Sequence, residues 1–452
     1  MTISLKYDNI FNMKNRQFFN QSLYFSILSG ITFLIWLNQL DFLGMTLFVV
    51  ASFFILIFVK NTIHIIPFIF NMLFMISQTE WSLDTIPIYL YVLPILLLLG
   101  FLIHYIKFRD QDKIKGALIK PLFLMFVAMV FSIFNTSIID FNYGFYLVIG
   151  LFYLSVYFFF VETIKGENLD YLIKLFVVLG ILISTQVFYY YLSTGDIAKA
   201  LMTDRVDLGW GISNFIATYL IMFISATIFY VKTKKYRLIT VIIIAYEILM
   251  LIFTLSRGGV LSFIAIIPFI LYYLYHGQKN KIITTLYLSI ILILLVTVFV
   301  IKTDYFIPLF ERFKTLDLYE GNGRVELWYQ AIDKFKEFPL FGAGLFARVE
   351  GDYFGFYHNT ILHTLASLGI VGLVSLIWQA IMVLKVIFNK INLQKGVLLI
   401  GLIGANIHGM VDNVYFMPQF MIIFFVVVAT MEVYNKNQLN KPIIWRLEDV
   451  KK

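Results

Sequence analysis

Apolar residues in this chain come in long runs, separated by short stretches where lysine, arginine, glycine and asparagine gather. Runs of this kind fit helices that cross a bilayer, each needing roughly 20 mostly apolar residues. About 14 can be counted, near 22–37, 42–59, 63–77, 86–106, 121–139, 144–161, 169–192, 210–231, 238–255, 258–275, 282–301, 358–384, 396–412 and 414–434. The first and third are short, and 396–434 divides less clearly around Asp412-Asn413, so the pattern predicts about 12 to 14 spans. The stretch 238–275 is too long for one span, and Ser256-Arg257-Gly258-Gly259 splits it as a tight hairpin. Hydrocarbon offers the backbone no hydrogen-bond partner, so spans this apolar must be helices. The expected fold is all-α: a polytopic transmembrane bundle forming one integral membrane domain over 1–452, with two extramembrane loops of substance, 193–209 and 302–357.

Composition agrees with the pattern. Of 452 residues, 60% are hydrophobic and only 14% charged, where a soluble domain has about a quarter charged. Cysteine is absent, which excludes disulfides, thiolate metal sites and a thiol nucleophile. The net charge of +8 is no sign of nucleic-acid binding, because the basic residues sit in short loops between spans. They also alternate. With the N-terminus inside, the inside loops hold Lys107, Arg109, Lys113, Lys115 and Lys120, then Lys232, Lys234, Lys235 and Arg237, then Lys385, Lys390 and Lys395. The short outside loops hold only Lys199, Arg205 and Arg257. Both termini are therefore expected in the cytoplasm. Residues 1–21 are polar and lack a cleavage pattern, so no removable signal peptide is expected.

The outside basic residues run against that trend and invite a chemical reading. Arg257 interrupts an apolar stretch, a costly position unless the charge reaches water or a partner; the plain alternative is an arginine snorkelling at a hairpin tip. In the loop 302–357, Val325, Trp328, Ala331, Ile332 and Phe335 recur at helical spacing opposite Glu326, Gln330, Asp333, Lys334 and Lys336. That predicts an amphipathic helix lying on the outer membrane surface or capping the bundle, stopped at Phe338-Pro339. His358 stands at the start of a span, as a base or as a plain polar cap. His363 lies five residues on, roughly 140° around the helix, and is expected to be packing. His408 and Asp412 are four apart and would share a helical face, bonding each other to line a cavity or to clasp the bundle. Glu247, inside a span, needs a buried partner the sequence does not identify. No histidine or carboxylate spacing suggests a metal.

Taken together, SRGG at 256–259, Gly323-Arg324 with Leu327-Trp328, PLFGAG at 339–344, His358-Asn359 and SLGIVGL at 367–373 resemble the O-antigen ligase and O-antigen polymerase superfamily. Arg205 followed by Ser213-Asn214, and His408 with Asp412, resemble further recurrent features of it. The likeness covers about 200–430 and leaves the N-terminal spans out. Members are bacterial membrane enzymes that move polysaccharide units from undecaprenyl diphosphate.

The resemblance implies a polymerase at the outer face of the cytoplasmic membrane, passing a growing glycan from undecaprenyl diphosphate to another lipid-linked repeat unit. A ligase acting on lipid A-core or another acceptor shares the same motifs. A lipid-linked sugar transporter fits less well, because the halves show no repeat, and a non-catalytic assembly protein would leave the motifs unused. Guanidinium groups hold phosphate oxygens two at a time, so Arg257 and Arg324 are the expected catalytic cations and Arg205 a donor-binding one. His358 is the expected base. Asn214, Asn359, His408 and Asp412 are expected to contact substrate, while Lys302, Arg312, Lys314 and Arg348 are assigned to lipid headgroups or solvent. No cofactor or metal is implied. The expected partners are the undecaprenyl-diphosphate-linked oligosaccharide, membrane lipids, and a chain-length regulator and flippase.

Overall fold

A computed structural model describes residues 21–77, 92–108, 116–135, 142–166, 168–232, 236–314, 323–345, 349–350 and 353–439. Arg109, Lys113, Lys115, Lys234, Lys235 and Arg348 lie outside them. The described chain is a polytopic helical bundle in which each apolar run of the sequence carries a helix. In order these are α1 (Gln21–Leu37), α2 (Asp41–Phe58), α3 (Ile66–Met72), α4 (Val92–Phe108), α5 (Ile119–Ser132), α6 (Asn142–Thr163) and α7 (Leu169–Leu192). After the short α8 (Ile197–Thr203) come α9 (Ser213–Ile228), α10 (Arg237–Phe253), α11 (Arg257–Tyr275) and α12 (Lys281–Ile301). The loop that follows holds α13 (Ile307–Lys314), α14 (Arg324–Glu337) and a hairpin of two-residue strands, β1 (Val349–Glu350) and β2 (Tyr353–Phe354). The chain then runs through α15 (Thr360–Phe388), α16 (Leu393–His408) and α17 (Pro418–Leu439). Seven of these helices are long and apolar enough to cross a membrane.

The core is centred on α9. It packs on α7, α10, α11 and α16, and nearly every one of its side chains is buried. By contrast α12 buries only Thr284 and Ile291 and presents an apolar surface outward. The third run is the weakest helix: a 3-10 turn at Thr62–Ile65, capped by Asn61, leads into α3 with Pro67 in its first turn. The hairpin predicted at 256–259 is real. Ser256 caps α11 by accepting from Gly259 N at 3.1 Å. The amphipathic helix exists as α14 and packs against the bundle: Ala331 and Leu327 meet Tyr357, Leu362 and Ala366, while Tyr329 and Ile332 stay exposed.

Two features depart from the pattern reading. The sequence predicts one unbroken span over 358–384, yet α15 is interrupted at Gly369, whose φ is 62°. The groups freed by the break are taken up by the PLFGAG turn. Ile370 N and Val371 N donate to Pro339 O and Leu340 O at 2.9 and 3.2 Å, and Ala343 N and Gly344 N donate to Ala366 O and Ser367 O at 2.8 and 2.9 Å. The two glycine-bearing motifs are thus one backbone clasp, and it ties the loop carrying α14 to the broken helix. Secondly, α16 ends at His408, so Asp412 is not on its face but in the turn before α17.

Candidate functional site

The chain order places the starts of α9, α11 and α15 and the end of α16 at one end of the bundle, and the sequence motifs sit in those turns. Ser213-Asn214 opens α9, Ser256-Arg257 opens α11, His358-Asn359 precedes α15, and His408 closes α16. Residues up to about 200 positions apart therefore meet in one polar layer. His358 Nδ1 lies 3.2 Å from Asp412 Oδ1. The other Asp412 oxygen accepts from Asn214 Nδ2 at 2.6 Å. Asn214 Oδ1 in turn accepts from Ser256 Oγ at 2.8 Å and from an Arg205 Nη at 3.3 Å.

Asp412 is 3% exposed. Burial alone would raise its carboxyl, but the hydrogen bond from His358, the charges of His408 and His358 and the Asn413 N–H together outweigh burial and bring it down to about 2. An ionised carboxylate only accepts, so the proton on His358 belongs at Nδ1. That leaves the Nε2 lone pair on a ring whose side chain is 37% exposed, against 4% for Asp412. The backbone of His358 is left-handed, with φ 47°, and so is that of Leu255, with φ 55°, next to Ser256-Arg257. Each such residue costs about 1–2 kcal/mol. Strain of this kind persists where surrounding contacts over-determine the turn, often at working sites. At His358 those contacts come from Asn359. Its Oδ1 caps α15 through Ile361 N and Leu362 N at 2.9 and 3.0 Å, and its Nδ2 donates to Met410 O at 2.9 Å.

The arginines form the other half of the site. Arg205, Arg257 and Arg324 come from the loop before α9, the start of α11 and the start of α14, and they lie near enough to repel. Partial burial first, then the charges of Arg324 and Arg257, lower the Arg205 pKa, with Tyr191 and Asp412 acting the other way. A fourth cation joins them. Arg312 on α13 is half-buried and brought down to about 10 by burial and then by Arg205 and Arg257, and its carbonyl accepts from Arg257 Nη1 at 2.8 Å. Sequence reasoning assigned Arg312 to headgroups or solvent and missed it. The available signal was that Glu311 and Lys314 pair with each other three residues apart, which turns Arg312 to another face of α13. Lys314 itself is exposed, as expected.

Several residues expected to touch substrate are instead committed to protein. His408 is 1% exposed. Its Nδ1 faces Thr218 Oγ1 at 2.8 Å rather than Asp412, and its ring lies against Gly258, where an added Cβ would stand 3.1 Å from Nε2. That contact explains a glycine after Arg257. Asn214 and Asn359 have both ends of their amides occupied within the protein. Of the other predicted residues, Arg205 donates to Asn214, Arg257 donates to the Arg312 carbonyl, and His358 pairs with Asp412 through one ring nitrogen. His363 is buried among the rings of Phe356, Tyr357 and Phe416. Glu247 finds its partner in Thr227, whose hydroxyl donates at 3.2 Å, and lies against Gly180 of α7. No group of three or more histidine and acidic side chains able to hold a metal occurs among the described residues.

Chemically, the layer offers a hydrogen-bonded carboxylate–imidazole pair with one free ring nitrogen beside a cluster of guanidinium groups. That combination can take a proton from a hydroxyl while holding a polyanion. Comparison with known proteins gives a family for it. Residues 239–377 match the family described as O-antigen ligase, a stretch that runs from α10 into α15 and contains Arg257, Arg312, Arg324 and His358. The match covers less than half of the chain and supports, for that stretch, a likeness to the O-antigen ligase/polymerase superfamily, whose members process glycans at membranes. No curated protein matches the chain.

Proposed function

We propose, from the O-antigen ligase domain at residues 239–377, that this protein is a glycan polymerase whose donor is an oligosaccharide on undecaprenyl diphosphate. The observation that carries the reading is the His358–Asp412 pair standing at the same end of the bundle as Arg205, Arg257, Arg312 and Arg324. The acceptor hydroxyl, on the non-reducing end of another lipid-linked repeat, attacks the anomeric carbon of the donor. Its oxygen forms the new glycosidic bond as the bond from that carbon to the diphosphate oxygen breaks. The hydroxyl proton passes to His358 Nε2, and Asp412 stabilises the imidazolium. The electron pair of the broken bond leaves on undecaprenyl diphosphate, whose added charge is met by the guanidinium groups, Arg257 and Arg324 foremost.

In this reading the site faces outward from the bacterial cytoplasmic membrane, both termini are cytoplasmic, the chemistry is independent of metal, and a flippase and chain-length regulator work alongside. The matched family's description favours a second reading, a ligase passing finished glycan to lipid A-core or another acceptor. The chemistry at the anomeric carbon is the same, and only the acceptor differs.

Purified full-length protein supplied with a defined undecaprenyl-diphosphate oligosaccharide distinguishes these. A ladder of lengthened lipid-linked glycan in the presence of EDTA is the expected result. Transfer only when lipid A-core is added identifies the ligase. No transfer to any hydroxyl, or transfer abolished by EDTA and restored by a divalent cation, overturns the mechanism.

A further inference from the structure

The site contains an amide between two opposite charges. Arg205 can only donate hydrogen bonds and ionised Asp412 can only accept them. Asn214 is placed between them with Oδ1 toward Arg205 Nη2 at 3.3 Å and Nδ2 toward Asp412 Oδ2 at 2.6 Å, and Ser256 Oγ donates to the same Oδ1 at 2.8 Å. The orientation of the amide is therefore fixed by chemistry: reversed, it would set an N–H against a guanidinium and a carbonyl against a carboxylate. Asn214 is 9% exposed and opens α9, the most buried helix of the bundle.

We infer that Asn214 is a positioning residue that keeps Arg205 and Asp412 from pairing directly, so that Arg205 remains available to an anion and the carboxylate charge remains directed at His358. This rests on the functional reading above and adds a role to it. A direct Arg205–Asp412 ion pair would remove a cation from the donor and the orienting charge from the imidazole in one step. The groups facing Asp412 are His358 from the entrance to α15, His408 from α16 and, through Asn214, Arg205. Arg324 lies beyond His408, and Arg257, Arg312, Arg324 and Tyr191 lie around Arg205.

The inference predicts opposite behaviour for two substitutions at one position. Asn214→Asp puts two carboxyls in contact, which must share a proton at neutral pH. Arg205 and Ser256 both donate to position 214, so they draw the negative charge there and leave the shared proton on Asp412 Oδ2, between the two carboxyls, so that His358 faces the Oδ1 of a neutral acid. Raising the pH removes that proton and returns the charge to Asp412. Asn214→Ala has no such recovery, because Arg205 closes onto Asp412 at every pH.

The test is steady-state glycan transfer by purified full-length enzyme between about pH 6.5 and 9. Expected for Asn214→Asp is a fall in kcat of about tenfold or more at neutral pH, the loss of a carboxylate that orients a histidine reaching ~10⁴ in a well-studied triad, with kcat climbing toward the wild-type value as pH rises. Asn214→Ala should show a raised KM for the donor and no climb. The exchange Asn214→Asp with Asp412→Asn, which fixes the charge on the wrong side, should stay low throughout. Ser256→Ala, which loosens the amide and also removes the cap of α11 without touching the carboxylate, should lower kcat severalfold per folded molecule, and Ser256→Thr, which keeps the hydroxyl for both contacts, should restore it. Wild-type kcat in Asn214→Asp at neutral pH, equal losses with parallel pH profiles in Asn214→Asp and Asn214→Ala, or unchanged kcat in Ser256→Ala overturns the inference while leaving the functional reading in place. A wild-type enzyme that transfers no glycan sinks the functional reading, and this role with it.

Discussion

Gly342 and Gly369 lie back to back. A Cβ on Gly342 would come 2.2 Å from Ser367 C, and one on Gly369 would come 2.4 Å from Leu340 C, so neither residue can carry a side chain while the other segment keeps its place. Both also have positive φ, 69° and 62°. Gly342→Ala or Gly369→Ala should therefore cost about 1–2 kcal/mol for the left-handed backbone and about 1–3 kcal/mol more for overpacking. Because the clasp holds the loop carrying Arg324 to the helix that begins beside His358, activity should fall with stability. Thermal unfolding of detergent-purified variants checks this, and a wild-type midpoint for both would show that the clasp does not bear load.

His358→Ala should insert and fold normally but lose about 10² to 10⁴ in turnover, the usual contribution of a general base, and single lipid-linked repeats should accumulate. His363→Ala removes a buried ring between Phe356, Tyr357 and Phe416, so it should cost stability more than turnover per folded molecule. Comparable turnover in the two variants would remove His358 from its role.

Among the cations, shape should matter as much as charge. Lysine keeps the charge of arginine but not the planar fork. Arg257→Lys and Arg324→Lys should each lower kcat/KM about tenfold or more, the value of one hydrogen bond to a charged group. Arg312→Gln should raise the donor KM, while Lys314→Ala, at an exposed Glu311 pair, should be nearly silent. Full polymer formation by both Arg257→Lys and Arg257→Ala would dismiss the diphosphate clamp.

Asp412 also links the site to stability. Its folded pKa of about 2 lies below the ordinary 3.8, so the folded state binds its proton less readily than the unfolded chain. The stability this contributes is present in full above the unfolded value and is lost as pH falls through the folded one. The unfolding midpoint of wild type should thus exceed that of Asp412→Asn at neutral pH, and the gap should narrow between about pH 4 and pH 2. A gap that ignores pH would mean the carboxylate is not held by its neighbours.

Orientation is accessible because the chain has no native cysteine. Lys336 on α14 and Lys279 between α11 and α12 are both exposed, at opposite ends of the bundle by chain order. A cysteine at Lys336 should react with a membrane-impermeant maleimide in cells with a permeabilised outer envelope, and one at Lys279 should not. Reversed labelling would put the site on the wrong side for a lipid-linked donor.

The helices were legible in the amino-acid sequence. Span-length apolar runs permit only one backbone solution in lipid, so each run became a helix, and the residues that interrupt them, Ser256-Arg257, His358-Asn359 and Pro339 with Gly342, marked its turns. Which of those turns meet was settled by the packing of the helices. The partner of Asp412 is not His408, four positions away, but His358 and Asn214, 54 and 198 positions away, because α16 stops before Asp412 and helical periodicity no longer applies. Arg312 looked like Lys314 until α13 was placed against Arg257. The break at Gly369 was hidden in an apolar run, since hydropathy records how a residue partitions and not where another backbone will press against it. Local pattern fixes the elements through backbone hydrogen bonding; the site depends on contacts between elements, which are set by the packing of the whole bundle.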